Sequence, residues 1–267
     1  MGTQTTIAWT DASWNPITGC TKVSSGCANC YAERLSLQKG WSAVPWTKRN
    51  ARENVTLHPE RLDQPLRWRN PRKIFLCSMG DLFHELVPDH FIAKVFDVMA
   101  RCPEHTFQLL TKRPARMADF VSRYNPEDLA PYPLPNLWLG TSVENQPAAE
   151  ARLPALLRCT AALLFVSLEP LIAPVDLETV ETEDGYWLDT LSGILREPPS
   201  PPLGGDTGEN RLGWVIVGGE SGPGYRPMSH EWVRVLRDQC ITAEVPFFFK
   251  QSAGYRHNTG TLLDGEE

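Results

Sequence analysis

The feature that most constrains the fold of this chain is a repeated alternation of short apolar runs with amphipathic helical patterns. Apolar residues recur at helical spacing in 90–101, behind Asp89, and in 230–243, behind Ser229. Seven apolar runs are candidate strands, at residues 14–18, 74–77, 106–110, 137–140, 163–166, 214–217 and 246–249. Alternation of strand and helix indicates right-handed βαβ units around a parallel sheet. We therefore expect an α/β fold, a partial (β/α) barrel of about six or seven parallel strands, with an open doubly wound sheet as the alternative.

The length of 267 residues allows one large α/β domain or two small ones, and we expect a single domain over residues 1–267. Two segments interrupt the alternation. They are a basic connection at 40–73 and an acidic, Pro- and Gly-containing insertion at 176–212, which forms either a mobile flap or a small subdomain.

No run of 18 apolar residues occurs, and the first residues lack a secretory signal. We expect a cytoplasmic protein with no membrane partner, whose seven cysteines stay reduced unless they bind metal or react.

The net charge of −6 hides an asymmetry along the chain. Residues 1–120 carry 16 Lys and Arg against 11 Asp and Glu, whereas residues 121–267 carry 10 against 21. The basic excess lies mainly in 46–73, together with Trp46 and Trp68. Basic residues interleaved with tryptophan can hold phosphates and stack on bases, so the pattern suits a nucleic-acid partner. The alternative is a solvated surface with two half-buried tryptophans.

Polar residues follow each candidate strand after the first. In parallel α/β folds the carboxyl ends of the strands gather at one edge of the sheet, where functional groups collect. The residues in these positions are Ser78, Gly80 and Asp81, Lys112, Ser142 and Glu144, Glu169, Gly218, Gly219 and Glu220, and Lys250. We expect them to line the rim of a polar pocket.

The sharpest signal is a C-x6-C-x2-C pattern formed by Cys20, Cys27 and Cys30 between the first strand and the first helix. Three thiolates from one glycine-bearing loop can bind a soft metal centre. Structural zinc takes four ligands, usually as two pairs, and the sequence has no second C-x2-C. A [4Fe–4S] cluster held by three cysteines leaves one iron open for a small molecule, and we favour this interpretation.

Three alternatives remain open for these thiols. A zinc site would need a fourth ligand from His58, His84 or Cys77. The thiols can also be unliganded or form a disulfide. In the third alternative, the C-x2-C pair acts as a redox centre at the start of a helix, where the helix dipole lowers a thiol pKa. The remaining cysteines are predicted to be small apolar fillers: Cys102, Cys159 and Cys240.

The sequence resembles the radical S-adenosylmethionine (SAM) superfamily, in which three cysteines follow the first strand of a partial (β/α) barrel. More narrowly, it is similar to a phage-associated three-cysteine-motif family. The motifs that carry the likeness cover most of the chain outside 176–212: Trp9-Thr10-Asp11, Trp14-Asn15-Pro16, Gly19-Cys20, Cys27-Ala28-Asn29-Cys30-Tyr31-Ala32, Met79-Gly80-Asp81-Leu82-Phe83-His84, Leu110-Thr111-Lys112-Arg113-Pro114, Gly140-Thr141-Ser142-Val143-Glu144-Asn145, Ser167-Leu168-Glu169-Pro170 and Gly218-Gly219-Glu220-Ser221-Gly222. The chain departs from the usual superfamily spacing, C-x3-C-x2-C, because six residues separate its first two cysteines. It also has Asn29, not an aromatic residue, before the last cysteine.

The resemblance implies reductive cleavage of SAM. Cys20, Cys27 and Cys30 would ligate three irons of a [4Fe–4S] cluster, and the fourth iron would take the amino and carboxylate groups of SAM. The cleavage yields methionine and a 5′-deoxyadenosyl radical, which abstracts hydrogen from a substrate. An electron donor such as flavodoxin or ferredoxin would reduce the cluster. The expected substrate is a nucleic acid or nucleotide, in modification or repair.

The resemblance also implies roles for the rim residues. The segment with Ser78, Gly80 and Asp81 occupies the place that contacts the amino group of SAM, and the Asp81 carboxylate suits a positive ammonium. Lys112 and Arg113 can hold the carboxylate of the cofactor or a substrate phosphate. Four further residues are expected to assist in cofactor binding: Ser142, Gly218, Gly219 and Glu220. The expected catalytic residues are Cys77, Lys112, Glu144, Glu169 and Lys250. Cys77 would be a hydrogen donor. Glu144, Glu169 and Lys250 would bind ribose, transfer protons or pair with one another.

Two other classes of function remain open. The first is a zinc-stabilised nucleic-acid-binding protein that uses the basic 46–73 segment without radical chemistry. The second is a metal-free hydrolase or lyase that uses Glu144, Glu169 and Lys250.

Overall fold

A computed structural model describes residues 5–124, 132–198 and 210–266. The chain packs as two compact units, Met1–Leu139 and Gly140–Glu267, and the division falls inside a strand. The expectation of a single domain stays a prediction.

The secondary structure follows the predicted alternation. The strands in chain order are β1 (Ala12–Trp14), β2 (Ile17–Thr18), β3 (Thr56–Leu57), β4 (Lys73–Leu76), β5 (Thr106–Thr111), β6 (Leu137–Ser142), β7 (Leu163–Leu168), β8 (Val180–Glu181), β9 (Trp187–Asp189), β10 (Ile194–Arg196), β11 (Leu212–Gly218) and β12 (Phe247–Gln251). The helices are α1 (Tyr31–Gln38), α2 (Ala51–Asn54), α3 (Asp89–Ala100), α4 (Pro114–Val121), α5 (Gln146–Leu157) and α6 (His230–Thr242). Both helical patterns singled out in the sequence are helices, α3 and α6, and the side chain of Ser229 caps α6 by accepting from the Glu231 N–H.

Seven strands form one sheet in the order β1-β4-β5-β6-β7-β11-β12. The pairs β1–β4, β4–β5, β7–β11 and β11–β12 are parallel. Most of their residues are buried, because helices cover a parallel sheet on both faces. The predicted α/β class, a partial (β/α) barrel of six or seven parallel strands, is confirmed.

The first strand ends earlier than predicted. The sequence indicated one strand over 14–18, but β1 stops at Trp14 and β2 begins at Ile17. Pro16 lies between them and has no N–H to give to a ladder, so the strand breaks there. The short strand β2 pairs with β3 of the basic connection instead of joining the large sheet.

The basic connection 40–73 is an ordered part of the first unit. Its backbone is tied to the start of the chain because the Trp14 indole N–H donates to the Arg61 carbonyl at 2.8 Å. Trp46 is only 3% exposed, so its ring offers no surface for base stacking here and is more deeply buried than the alternative of half-buried tryptophans expects. Trp68 is half-buried under the guanidinium of Arg72, 5.2 Å from the ring centroid.

The described part of the acidic insertion is a small subdomain of the second unit. Strands β8, β9 and β10 form an antiparallel sheet, with a buried ion pair between Asp189 and Arg196 at 2.9 Å. Gln239 of α6 fixes this sheet, since its amide donates to the Asp176 carboxylate at 2.7 Å and accepts from the Leu177 N–H at 3.2 Å. Of the two expectations for this segment, the small subdomain is the one observed; residues 199–209 lie outside the described part.

Among the described residues, none of the helices combines the length and the apolar character needed to cross a membrane.

Candidate functional site

The cysteine loop occupies residues 19–30 of the first unit and runs from β2 to α1. Its start is attached to the Ser78–Asp81 turn, because the Gly19 N–H donates to the Met79 carbonyl at 2.9 Å and Gly19 bridges to Gly80. Gly19 has a φ of +84°, and a Cβ there would lie 1.9 Å from the Asn54 carbonyl oxygen. Only glycine fits this position, which starts the loop at a fixed place beside the turn.

All three loop cysteines are free thiols of intermediate exposure. Cys27 ends a single 3-10 turn, and Cys30 is the N-cap residue of α1. The three thiols thus lie within one short loop, and their role as metal ligands stays a prediction.

Arg113 joins the cysteine loop to the end of β5. One terminal nitrogen donates to the Cys20 sulfur at 3.4 Å and to the Asp81 carboxylate at 2.8 Å. The other donates to the Thr21 hydroxyl at 3.0 Å and to the Thr21 carbonyl at 3.3 Å. The sequence predicted that Arg113 holds a cofactor carboxylate or a phosphate. In the structure its two terminal nitrogens are engaged by the protein and attach the loop to Asp81, and the expected contact with a cofactor carboxylate or a phosphate stays a prediction.

Asp81 is the acceptor around which this arrangement is built. Its two oxygens accept from the Thr111 hydroxyl at 2.7 Å, the Phe83 N–H at 3.0 Å and the Lys112 N–H at 3.3 Å, in addition to Arg113. The carboxylate is almost fully buried, so its charge requires these donors. The expectation that Asp81 binds the ammonium of SAM stays a prediction, and the contacts present support a positioning role.

The other predicted residues of the turn are close to the cysteine loop. The Ser78 hydroxyl exchanges hydrogen bonds with the Asn15 amide, and the Ser78 carbonyl accepts from the Tyr31 hydroxyl at 2.6 Å. Burial raises the pKa of Cys30, and the positive charge of Lys112 is one of the groups that oppose this rise. The cysteine loop, the Ser78–Asp81 turn and Lys112 are therefore brought together in one place.

Burial dominates the acidity of the loop thiols. It raises the pKa of Cys20 to about 12, with the Asp81 charge acting in the same direction and Arg113 against it. Burial also raises the pKa of Cys30, although N–H groups of the first turn of α1 and Lys112 oppose the shift.

The loop residues fit an iron–sulfur cluster in the number and type of their donors. They supply three thiols, and the cations of Arg113 and Lys112 stand beside Cys20 and Cys30, where they would offset the negative charge of thiolates. Across the described ranges, no three His, Cys, Asp or Glu side chains are grouped so that they could hold a metal ion. Binding a cluster thus requires the three sulfurs to be drawn together.

The three candidates for a fourth zinc ligand differ in their surroundings. His84 is buried: its Nδ1 accepts from the Leu86 N–H at 3.1 Å, and its Nε2 therefore carries the proton that it shares with the Thr21 hydroxyl at 3.1 Å. His58 contacts the Thr18 hydroxyl and Glu60 through its two ring nitrogens. Cys77 is the third candidate.

Cys77 directly follows β4 in a left-handed backbone conformation, with a φ of +62°. Its thiol is fully buried, and burial raises its pKa, with the neighbouring charges of Asp81 and Cys20 adding to the shift. Cys77 thus immediately precedes the Ser78–Asp81 turn, to which Gly19 attaches the cysteine loop. Its expected role as a hydrogen donor stays a prediction.

The second unit carries a separate set of charged residues, most of them paired. Glu144 follows β6, is 1% exposed and accepts from Arg152 of α5 at 2.8 Å; the same guanidinium donates to the Ser142 carbonyl at 2.7 Å. Glu169 after β7 pairs with Lys250 of β12, the pairing that the sequence analysis gave as one of their possible roles. The sequence analysis missed Arg152, whose only signal is a basic residue on the inward face of a helix.

The Gly218-Gly219-Glu220 segment follows β11 in the same unit. Arg226 neutralises the buried Glu220 carboxylate, donating to one of its oxygens from its backbone N–H at 2.9 Å and from its Nε at 3.0 Å. A Cβ on Gly219 would lie 2.2 Å from the Ala253 nitrogen, whereas one on Gly218 would make ordinary contact with Glu169. The protein's own backbone thus explains why Gly219 is glycine, and the expected approach of an adenosyl group to this segment stays a prediction.

Comparison with known proteins gives the family. A family model described as "Protein of unknown function (DUF5131)" matches residues 4–266. No curated protein and no solved structure matches the chain. The match spans both compact units, and on this basis the chain belongs to the DUF5131 family.

Proposed function

We propose that this protein is a radical SAM enzyme that binds a [4Fe–4S] cluster through Cys20, Cys27 and Cys30 and acts on a nucleic acid or nucleotide. The observation that carries the proposal is the attachment of the cysteine loop to the Ser78–Asp81 turn by Gly19 and Arg113. The cluster with bound SAM would supply a 5′-deoxyadenosyl radical. The loop, the turn and Lys112 come from three different strand ends, and their convergence is what a cofactor site at the carboxyl edge of a sheet requires.

The residues of the first unit have distinct parts in this proposal. The three cysteines provide the ligands, and Lys112 places a positive charge beside Cys30. Asp81 positions Arg113, and Arg113 positions the Cys20 sulfur and the Thr21 carbonyl. Because Asp81 and Arg113 are both almost fully buried, they hold the loop without exposing a free charge to a radical or to water.

Anaerobic reconstitution of the full chain with iron and sulfide tests the proposal. We expect about four irons and four acid-labile sulfides per chain and formation of 5′-deoxyadenosine when SAM and dithionite are added. Cys20→Ala should lose the cluster, whereas the matched control Cys102→Ala, which removes a buried cysteine elsewhere, should retain it. Stoichiometric zinc without sulfide, or a cluster that survives in Cys20→Ala, would contradict the proposal.

A second candidate function is a zinc-stabilised nucleic-acid-binding protein, and the place of Cys77, between β4 and the Ser78–Asp81 turn to which Gly19 attaches the cysteine loop, favours it. Four thiols can close a tetrahedral zinc site, which leaves no open position for a small molecule. The variant Cys77→Ser separates the two functions. It should abolish metal binding if zinc is held by four thiols and leave iron and sulfide contents unchanged if three cysteines hold a cluster.

A further inference from the structure

We propose that two loops of the second unit form a surface on which unpaired bases of a single-stranded nucleic acid stack. The loops follow β11 and β12, at residues 219–229 and 252–262, and each contains the tripeptide Gly-Tyr-Arg, at 224–226 and at 254–256. We call them the paired Gly-Tyr-Arg loops. The inference rests on the proposed function for its link to catalysis and deepens it by naming the class of substrate.

The paired Gly-Tyr-Arg loops are fixed to each other by backbone hydrogen bonds. The Gly219 N–H donates to the Gln251 carbonyl at 2.9 Å, the Gly254 N–H to the Glu220 carbonyl at 3.0 Å, and the Gly222 N–H to the Gly254 carbonyl at 3.0 Å. These bonds continue the β11–β12 pairing beyond the ends of the strands. The loops are therefore a preorganised platform, which lowers the entropic cost of binding a flexible strand.

Each loop presents a tyrosine ring to solvent. Tyr225 is 43% exposed and Tyr255 is 69% exposed. Tyrosine rings on a rigid support are the groups on which single-stranded nucleic acids stack their bases, because every base has a π-face and a duplex hides it. Two such rings at the carboxyl ends of adjacent strands can engage two bases of one strand.

The charge of the two loops differs from that of the chain around them. Residues 121–267 carry 21 acidic and 10 basic side chains, yet the stretches 221–230 and 251–262 contain no Asp or Glu. The acidic residues at their borders are paired, since Arg226 binds Glu220 and Arg234 binds Asp264. Arg256 remains exposed on its loop. A phosphate backbone can approach this surface without meeting an unpaired carboxylate.

Binding of a fluorescent oligothymidylate of about twelve nucleotides to the full, cluster-free chain tests the inference. An abasic strand of equal length has the same phosphates but no bases and should bind at least about 10-fold more weakly. Tyr225→Ala and Tyr255→Ala should each weaken oligothymidylate binding about 10-fold. Tyr225→Phe and Tyr255→Phe keep the ring and should bind as the wild type does. The matched control is Tyr186→Ala, an exposed tyrosine of the insertion, which should bind as the wild type does.

The salt dependence of binding identifies the surface that is used. With Arg256 as the exposed cation of the paired Gly-Tyr-Arg loops, the logarithm of affinity should fall with the logarithm of salt at a slope of about −0.7. Binding through the basic 46–73 segment would give a steeper slope. Three results would each overturn the inference. They are failure of oligothymidylate to bind, equal binding of the abasic strand or of duplex DNA, and wild-type affinity in the double variant Tyr225→Ala with Tyr255→Ala.

The cluster assays test the proposed function, and the binding assays test the stacking surface, so the failure of one proposal is distinguishable from the failure of the other. Loss of 5′-deoxyadenosine formation with intact, tyrosine-dependent binding would overturn the proposed function alone. Formation of 5′-deoxyadenosine without tyrosine-dependent binding would overturn the stacking surface alone. Because the tyrosine side chains are exposed, the alanine variants should unfold at the wild-type urea concentration, which excludes a folding defect as the cause of lost binding.

Discussion

Replacement of Arg113 by glutamine should destabilise the first unit more than any surface substitution. The guanidinium side chain is 11% exposed and that of its partner Asp81 is 7% exposed, so removal of the cation leaves a carboxylate buried without a counter-charge. Loss of one partner of a buried ion pair costs about 3 to 5 kcal/mol. Because Thr111, Phe83 and Lys112 still donate to Asp81, we expect a value near the lower limit, about 3 kcal/mol.

Urea unfolding of the reduced, metal-free chain, followed by tryptophan fluorescence, measures this loss. The matched control is Arg123→Gln, which breaks a pair with Asp89 whose side chains are 67% and 49% exposed and should cost less than about 1 kcal/mol. The double variant Asp81→Asn with Arg113→Gln should be less destabilised than the sum of the single variants, with a coupling of about 2 kcal/mol. A loss below about 1 kcal/mol for Arg113→Gln, or strict additivity in the double variant, would refute the reasoning.

Three further predictions follow from the described contacts. Burial raises the pKa of the Cys20 thiol to about 12, so in metal-free protein at pH 8 it should react with iodoacetamide far more slowly than an unstructured cysteine, as measured by mass spectrometry. Metal loading should release protons, which a pH indicator measures. Two arginines of α6 lower the pKa of Asp264 to about 2 in the folded protein. The contribution of Asp264 to stability is therefore fully present above its pKa in the unfolded chain, about 4, and is lost as the pH falls through about 2. NMR titration of the Asp264 carboxyl group should give a midpoint of about 2. Gly219→Ala puts a Cβ 2.2 Å from the Ala253 nitrogen and should lower stability by about 3 kcal/mol, and an equal loss in Gly218→Ala, where a Cβ makes only ordinary contacts, would contradict the steric cause.

The parallel sheet was predictable because its signals are local. Continuous apolar runs and 3.6-residue periodicity lie within single elements, and they located the strands of the sheet as well as α3 and α6. The error at the first strand came from Pro16, which ends the ladder within an apolar run. Local chemistry at that residue would have been enough to place the break.

The pairing of the charged residues was not predictable in the same way. Arg113 reaches Cys20 across 93 positions of sequence, and the backbone N–H of Trp46 donates to the Glu33 carboxylate at 2.8 Å. Such contacts depend on how separate elements pack. The composition of a basic, tryptophan-bearing segment does not reveal that packing. The Glu169–Lys250 pair was anticipated because both residues follow or end strands at the same edge.

The attachment of the β8–β10 sheet has a practical consequence for handling the protein. Neutral amides make this attachment, since Gln146 accepts from the Asp176 N–H at 2.8 Å and Gln239 contacts Asp176 and Leu177. Concentrated sodium chloride screens charges but leaves amide contacts largely intact. A high-salt wash during purification should therefore strip co-purifying polyanions from the protein while this small sheet remains docked.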